Sequence, residues 1–154
     1  LLLLVHLYKT SKNKIQVVNC YLKNTKSINN WDLVDLTAYK LLGHYLLDKD
    51  RSILYELAKS DNLWERRISI VSTFQFIKNN QFQDTINISK IHLNDTHDLM
   101  HKAVGWMLRE IGKRNKQLLE SFLEKHAKDM PRTMLRYSIE RFNKQKRRHY
   151  LEKF

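Results

Sequence analysis

A tryptophan and an aspartate lie where they could stabilise a positive charge. Asn29 or Asn30 is a suitable cap for a helix that begins there, and within it Trp31 and Asp35 are four residues apart on one face. A carboxylate stabilises a developing cation and can hold a water molecule, and an indole face attracts cations. The alternative is an ordinary helix start, where acidic residues favour the helix dipole; this explains Asp32 better than Asp35.

A second group of residues lies on the helix predicted over residues 96–114. Trp106 lies about 200° round this helix from Val104, so we expect it to face away from the core. Its neighbours at i−4, i+3 and i+7 are Lys102, Arg109 and Lys113. Basic groups around an aromatic ring suit a phosphate backbone with its sugars or bases. The alternative is a tryptophan packed between adjacent repeats, with Lys and Arg stems lying on it.

Other motifs predict little chemistry. Trp64 begins another helix with Arg67 at i+3, and we expect Trp64 to pack between repeats. His97 and His101 are four residues apart but lack the Glu of a metalloprotease helix. The single cysteine excludes an internal disulfide and a cysteine zinc site. No Gly-rich phosphate loop or nucleophile elbow occurs. The sequence therefore predicts neither a metal nor a cofactor.

The elements that carry these residues are predicted to be helices throughout. Three glycines and one proline in 154 residues leave few positions for tight hairpin turns, and apolar residues recur at helical spacing. Turn and cap residues divide the chain into about ten helices. The longer helices begin near Asn30, Leu63 and Thr96, a repeat of 33 residues. This predicts one all-α domain over residues 1–154, a HEAT-like helical-repeat solenoid, or α-α superhelix.

The charge favours an anionic partner. The chain has 28 Lys and Arg against 16 Asp and Glu, a net charge of +12, of which +9 lies in residues 101–154. Such a charge favours a polyanion or an anionic membrane, although a solvated surface has the same composition. The basic run at residues 144–148 has three interpretations: nuclear localisation, nucleic-acid binding or a solvated helix.

The start of the chain is predicted to lie inside a helix. Residues 1–8 are largely apolar, with neither an initiator methionine nor a cap residue before them, so we expect a missing N-terminal portion. The run is too short to cross a membrane and lacks the features of a signal peptide. We expect a cytoplasmic monomer without a membrane partner.

Three segments together resemble a known family. Residues 31–35, 64–67 and 102–110, followed by residues 130–140, are similar in order and type to the AlkD-type DNA alkylation repair family. These proteins are HEAT-like-repeat 3-methyladenine and 7-methylguanine DNA glycosylases, and the resemblance covers essentially the whole chain. It implies that Trp31 and Trp106 are active-site tryptophans, that Asp35 is the catalytic aspartate and that Arg67 contacts DNA. The resemblance also implies that the family's first helices would precede Leu1.

The resemblance implies hydrolysis of an N-glycosidic bond in duplex DNA that contains alkylated purines. A purine alkylated at N3 or N7 is cationic and already a good leaving group, so stabilising the sugar cation is the remaining task, which falls to Asp35. Lys102, Arg109 and Lys113 would join Arg67 in binding DNA. Two alternatives stay open: a non-catalytic DNA-binding scaffold that recognises damaged duplex, and a protein-interaction module with an acidic partner.

Overall fold

The computed structural model describes residues 1–153, so the last residue of the predicted domain lies outside it. Within the described chain all regular structure is helical, and there are eleven α-helices. They are α1 (Leu2–Thr10), α2 (Lys14–Lys23), α3 (Trp31–Ala38), α4 (Ser52–Ala58), α5 (Leu63–Ser72), α6 (Phe74–Lys78), α7 (Gln83–Ile91), α8 (Asp98–Arg114), α9 (Lys116–His126), α10 (Arg132–Ser138) and α11 (Lys144–Lys153).

Four of these helices form a row. Helix α3 packs against α5, α5 against α8, and α8 against α10, while α4 lies against α5 and α9 against α8. The first three helices of the row begin at residues 31, 63 and 98, close to the predicted 33-residue repeat. The all-α prediction is confirmed, and the row gives each repeat one helix on the same layer. Side chains that converge on this layer therefore come from residues about 32 positions apart in sequence.

The starts of α3, α5 and α8 are each capped by a side chain. Asn30 accepts from the backbone N–H of Asp32 and caps α3, and Asn62 caps α5, which begins at Leu63 as predicted. The start predicted near Thr96 was wrong by two residues, because the cap of α8 is His97, whose Nδ1 accepts from the backbone N–H of Leu99. Residues 94–96 are instead loop, in which the Asp95 carboxylate accepts from the backbone N–H of His97.

A glycine allows α8 and α10 to approach each other closely. A Cβ atom on Gly105 would lie 2.5 Å from the Cβ of Tyr137 and 2.7 Å from the carbonyl oxygen of Met134. Any larger residue would push the two helices apart. This contact sets the position of Tyr137 beside the middle of α8, where Trp106 and Arg109 lie.

The core runs along the inner faces of the row. Apolar residues that recur at helical spacing are fully buried, among them Val34 and Ala38 on α3 and the apolar stripe of α8, which comprises Met100, Val104, Met107, Leu108 and Ile111. The opposite faces of α3 and α8 are therefore left for other contacts. None of the helices described here combines the length and apolar character needed to cross a membrane.

Candidate active site

One open pocket brings most of the predicted residues together. It has a volume of about 410 Å³, and α3, α5, α8 and α10 all contribute to its wall. The lining residues are Trp31, Asp35, Arg67, Leu99, Lys102, Trp106, Arg109 and Tyr137. Lys113 is not among them, and its ammonium instead pairs with Glu110 at 2.7 Å. Trp64 also lies outside the lining and packs half-buried against the core.

The centre of the pocket is an ion pair between α3 and α5. Arg67 donates from Nε to Oδ1 of Asp35 at 2.9 Å and from Nη2 to Oδ2 at 2.8 Å. The Arg67 side chain is 6% exposed and the Asp35 side chain 17%, so the carboxylate is the more accessible partner. Arg67 also donates from Nη1 to the carbonyl oxygen of Leu99 at the start of α8. One guanidinium thus connects three helices and fixes the orientation of the carboxylate.

Aromatic rings line the same pocket as this pair. Trp31 is 48% exposed, an unusual state for an indole. Trp106 was expected to face away from the core, and this expectation was only half right. Its ring lines the pocket, but it is partly buried and lies 5.6 Å from the ring of Phe74. The phenol ring of Tyr137 completes the aromatic wall.

Two further cations line the rim, and each has an acidic neighbour. Lys102 lies 2.8 Å from Asp98, and this hydrogen bond raises the pKa of the Lys102 ammonium and lowers the pKa of the Asp98 carboxyl. Lys102 is therefore protonated at neutral pH. Arg109 pairs with Glu140. Each of the three lining cations is thus paired with a carboxylate, and the exposed pair of Lys102 with Asp98 can exchange for another anion such as a phosphate.

The family follows from a comparison of the whole sequence. The sequence model of the family described as DNA alkylation repair enzyme matches residues 1–142. The chain belongs to this family. The match includes every helix that lines the pocket and ends before α11. It confirms the resemblance noted in the sequence and gives the chain a role in DNA alkylation repair. No curated protein and no solved structure matches the chain significantly.

The structure adds two lining residues that sequence reasoning missed. Tyr137 lies in the segment 130–140 that carries part of the resemblance to the DNA alkylation repair family, but nothing in its spacing indicated the pocket. Leu99 contributes a backbone carbonyl, which has no signature in a sequence. Within residues 1–153, no three His, Cys, Asp or Glu side chains are grouped so that they could hold a metal ion.

Proposed function

We propose that the chain is a DNA glycosylase that hydrolyses the N-glycosidic bond of N3- or N7-alkylated purines in duplex DNA. One observation carries the proposal: a carboxylate held by two hydrogen bonds from Arg67 lines the same open pocket as two indoles and two further cations. A cationic purine needs little help to leave, whereas the sugar cation that forms needs a nearby negative charge. The pocket offers that charge at Asp35.

The ion pair with Arg67 leaves acceptor sites on the Asp35 carboxylate for further hydrogen bonds. Each of its carboxylate oxygens accepts one hydrogen bond from Arg67, and a carboxylate has about four acceptor sites in all. The remaining lone pairs can accept from a water molecule, which would attack the anomeric carbon as the purine leaves. In this scheme Asp35 stabilises the sugar cation and orients the water, and it can take the proton that the water loses.

The indoles would bind the cationic nucleotide, and the cations beside them would bind its phosphates. The electron-rich faces of Trp31 and Trp106 attract a cationic nucleotide, an interaction of about 0.5–2 kcal/mol depending on solvent exposure. Lys102 and Arg109 lie beside them, where a phosphate on either side of the lesion can pair with them. Lys113 lies outside the pocket wall and has the weaker case for a phosphate contact.

Arg67 would act mainly through Asp35. Three of the five N–H groups of a guanidinium are already used, two on the Asp35 carboxylate and one on the Leu99 carbonyl. Its deep burial leaves little room for a phosphate. The direct DNA contact implied by the resemblance stays a prediction, and the geometry favours a positioning role.

A base-release assay tests the proposal. The protein is incubated with duplex DNA that contains one 7-methylguanine and with the same duplex containing guanine. The proposal expects free 7-methylguanine and an alkali-labile abasic site from the first duplex only. Binding of the methylated duplex without release would replace the proposal with a non-catalytic scaffold. Absence of binding to either duplex would favour a protein-interaction module.

A further inference from the structure

A basic surface continues from the pocket toward the end of the chain. Arg109 and Tyr137 also line a second depression of about 400 Å³, together with Arg136, Glu140 and Arg147. Arg147 in turn lines a third depression of about 390 Å³, whose other residues are Arg132, Lys144, Arg148, Leu151 and Glu152. The second depression therefore shares Arg109 and Tyr137 with the pocket and Arg147 with the third depression. We call the surface formed by Arg132, Arg136, Lys144, Arg147 and Arg148 the basic track.

Helix α11 is anchored to the rest of the protein through two of its side chains. The buried ring of Tyr150 lies 5.9 Å from the ring of Phe142, and Lys146 pairs with Glu120 on α9. Lys146 and Tyr150 are four residues apart and mark the inner face of the helix. Arg147 and Leu151, also four residues apart, mark the adjoining face that lines the third depression. These contacts set which faces of α11 its basic side chains occupy.

The track is positive and accessible. All five of its basic residues are exposed, and the acidic residues that line the second and third depressions are Glu140 and Glu152. Glu140 is already paired with Arg109. Glu152 lies 3.8 Å from Arg148, but both side chains are largely exposed, so this pair contributes little and can exchange for another anion.

We infer that the basic track is a second DNA contact, which binds the phosphate backbone of the duplex flanking the lesion. This inference rests on the proposed function, since the track begins at the wall of the proposed active site. Duplex DNA carries one negative charge per about 1.7 Å of its axis, so a lesion held in the pocket brings further phosphates over the neighbouring surface. The residues of α11 lie beyond the family match, so this helix adds to the part of the chain that matches the family.

The test compares two double variants with the same net charge. Arg147→Gln/Arg148→Gln removes two cations from the track, and Lys125→Gln/Lys128→Gln removes two exposed cations that line none of the three depressions. Affinity for a duplex that extends well beyond a central 7-methylguanine is measured over a range of salt concentrations. Single-turnover base release at saturating protein is measured on the same duplex, and circular dichroism checks that both variants are folded.

The track variant should bind more weakly, with a salt dependence lowered by about 2 in the slope of log K against log salt. Its rate of base release at saturation should stay within about twofold of the parent, because the Asp35 site is untouched. The Lys125/Lys128 variant should match the parent in both measurements. Equal binding by the two variants would overturn the inference and leave α11 with a solvated or protein-binding surface. Failure of every protein to release base, with the difference in binding retained, would overturn the glycosylase proposal and support the track.

Discussion

The ion pair between Asp35 and Arg67 is both a structural contact and the centre of the proposed chemistry. A partly buried carboxylate that loses its only cationic partner is costly, on the order of 3 kcal/mol. An arginine can hold such a carboxylate by two parallel hydrogen bonds, whereas a lysine provides a point charge with no fixed plane. Replacing Arg67 by lysine therefore changes the hydrogen-bond geometry around Asp35 more than it changes the charge.

Arg67→Lys should slow base release without greatly weakening DNA binding. The charge near Asp35 is kept, but the paired hydrogen bonds and the link to the Leu99 carbonyl are lost. We expect the single-turnover rate to fall by about tenfold and the Kd for duplex to change by less than about threefold. If Arg67 instead acts as a phosphate contact, the Kd for duplex will rise by more than about threefold and the rate at saturation will stay near that of the parent.

His92 lies in a second buried cluster, which supports the loop before α8. Its Nδ1 is 3.5 Å from the carboxylate of Asp95, which Arg66 holds at 2.8 Å. Burial lowers the pKa of His92 to about 4, helped by the charge of Arg66 and opposed by Asp95. The histidine is therefore neutral in the folded protein over a range where the unfolded chain takes up a proton.

This pKa predicts a loss of stability in acid. Because the folded pKa is lower than the ordinary value of 6.5, the contribution of His92 is complete above about pH 6.5 and is lost as the pH falls to about 4. The loss should amount to about 3 kcal/mol of the free energy of unfolding. Denaturant titrations across this range should show that His92→Gln lacks this slope, while His6→Gln, at an exposed position, retains it. Equal slopes for His92→Gln and the parent would contradict the assignment.

The contact between α8 and α10 is the part of the fold most sensitive to one added methyl group. Gly105→Ala gains about 1 kcal/mol of helix propensity but places its Cβ against backbone and Cβ atoms of α10, so we expect a net loss of about 1–3 kcal/mol. Gly112→Ala is the control, because its Cβ meets the far end of the flexible Leu119 side chain. It should be neutral or stabilising. Denaturant unfolding measures both, and equal effects would show that α8 and α10 are free to move apart.

The sequence predicts helices better than it predicts what lies between them. Asn30 and Asn62 mark their helices because capping is a local interaction. The turn over Tyr39–Gly43 is a wider, π-helical turn, which no residue pattern in the sequence predicts. This turn packs against a segment distant in sequence, because a Cβ on Gly43 would lie 2.2 Å from the carbonyl oxygen of Ser72.

In the pocket, too, contacts within one helix follow from the sequence, whereas contacts between helices do not. Trp31 and Asp35 share a face at a helical spacing, so their proximity follows from the sequence alone. The pairing of Asp35 with Arg67 depends on how α3 packs against α5, and only the structure reveals it. The pairing of Arg109 with Glu140 likewise depends on the approach of α10 to α8. The resemblance to the family implied a site role for Arg67 but did not indicate that Asp35 is its ion-pair partner.

The net charge of +12 should make DNA binding depend strongly on salt. If about five phosphates are neutralised, log K should fall against log salt with a slope of about −4 to −5. Lys102 and Lys113 can show whether DNA binding depends on where a cation lies or only on the total charge. Each of them is paired with an acidic residue of α8. Lys102→Gln, in the pocket wall, should lower the slope by about 1, and Lys113→Gln should change it much less. Equal changes in slope for the two variants would mean that DNA binding depends on the overall charge of the protein and not on contacts in the pocket.

The most direct test of the proposed chemistry is single-turnover release of 7-methylguanine by Asp35→Asn. The amide can still accept a hydrogen bond from Arg67 but carries no charge toward the sugar cation, so the rate should fall about a hundredfold, on the order of 3 kcal/mol. Affinity for the duplex should hold or rise slightly. Asp32→Asn, exposed on the same helix, should stay within about threefold of the parent. If Asp35→Asn releases base as fast as the parent while Asp32→Asn does the same, the carboxylate is not catalytic and the proposed role of Asp35 is wrong.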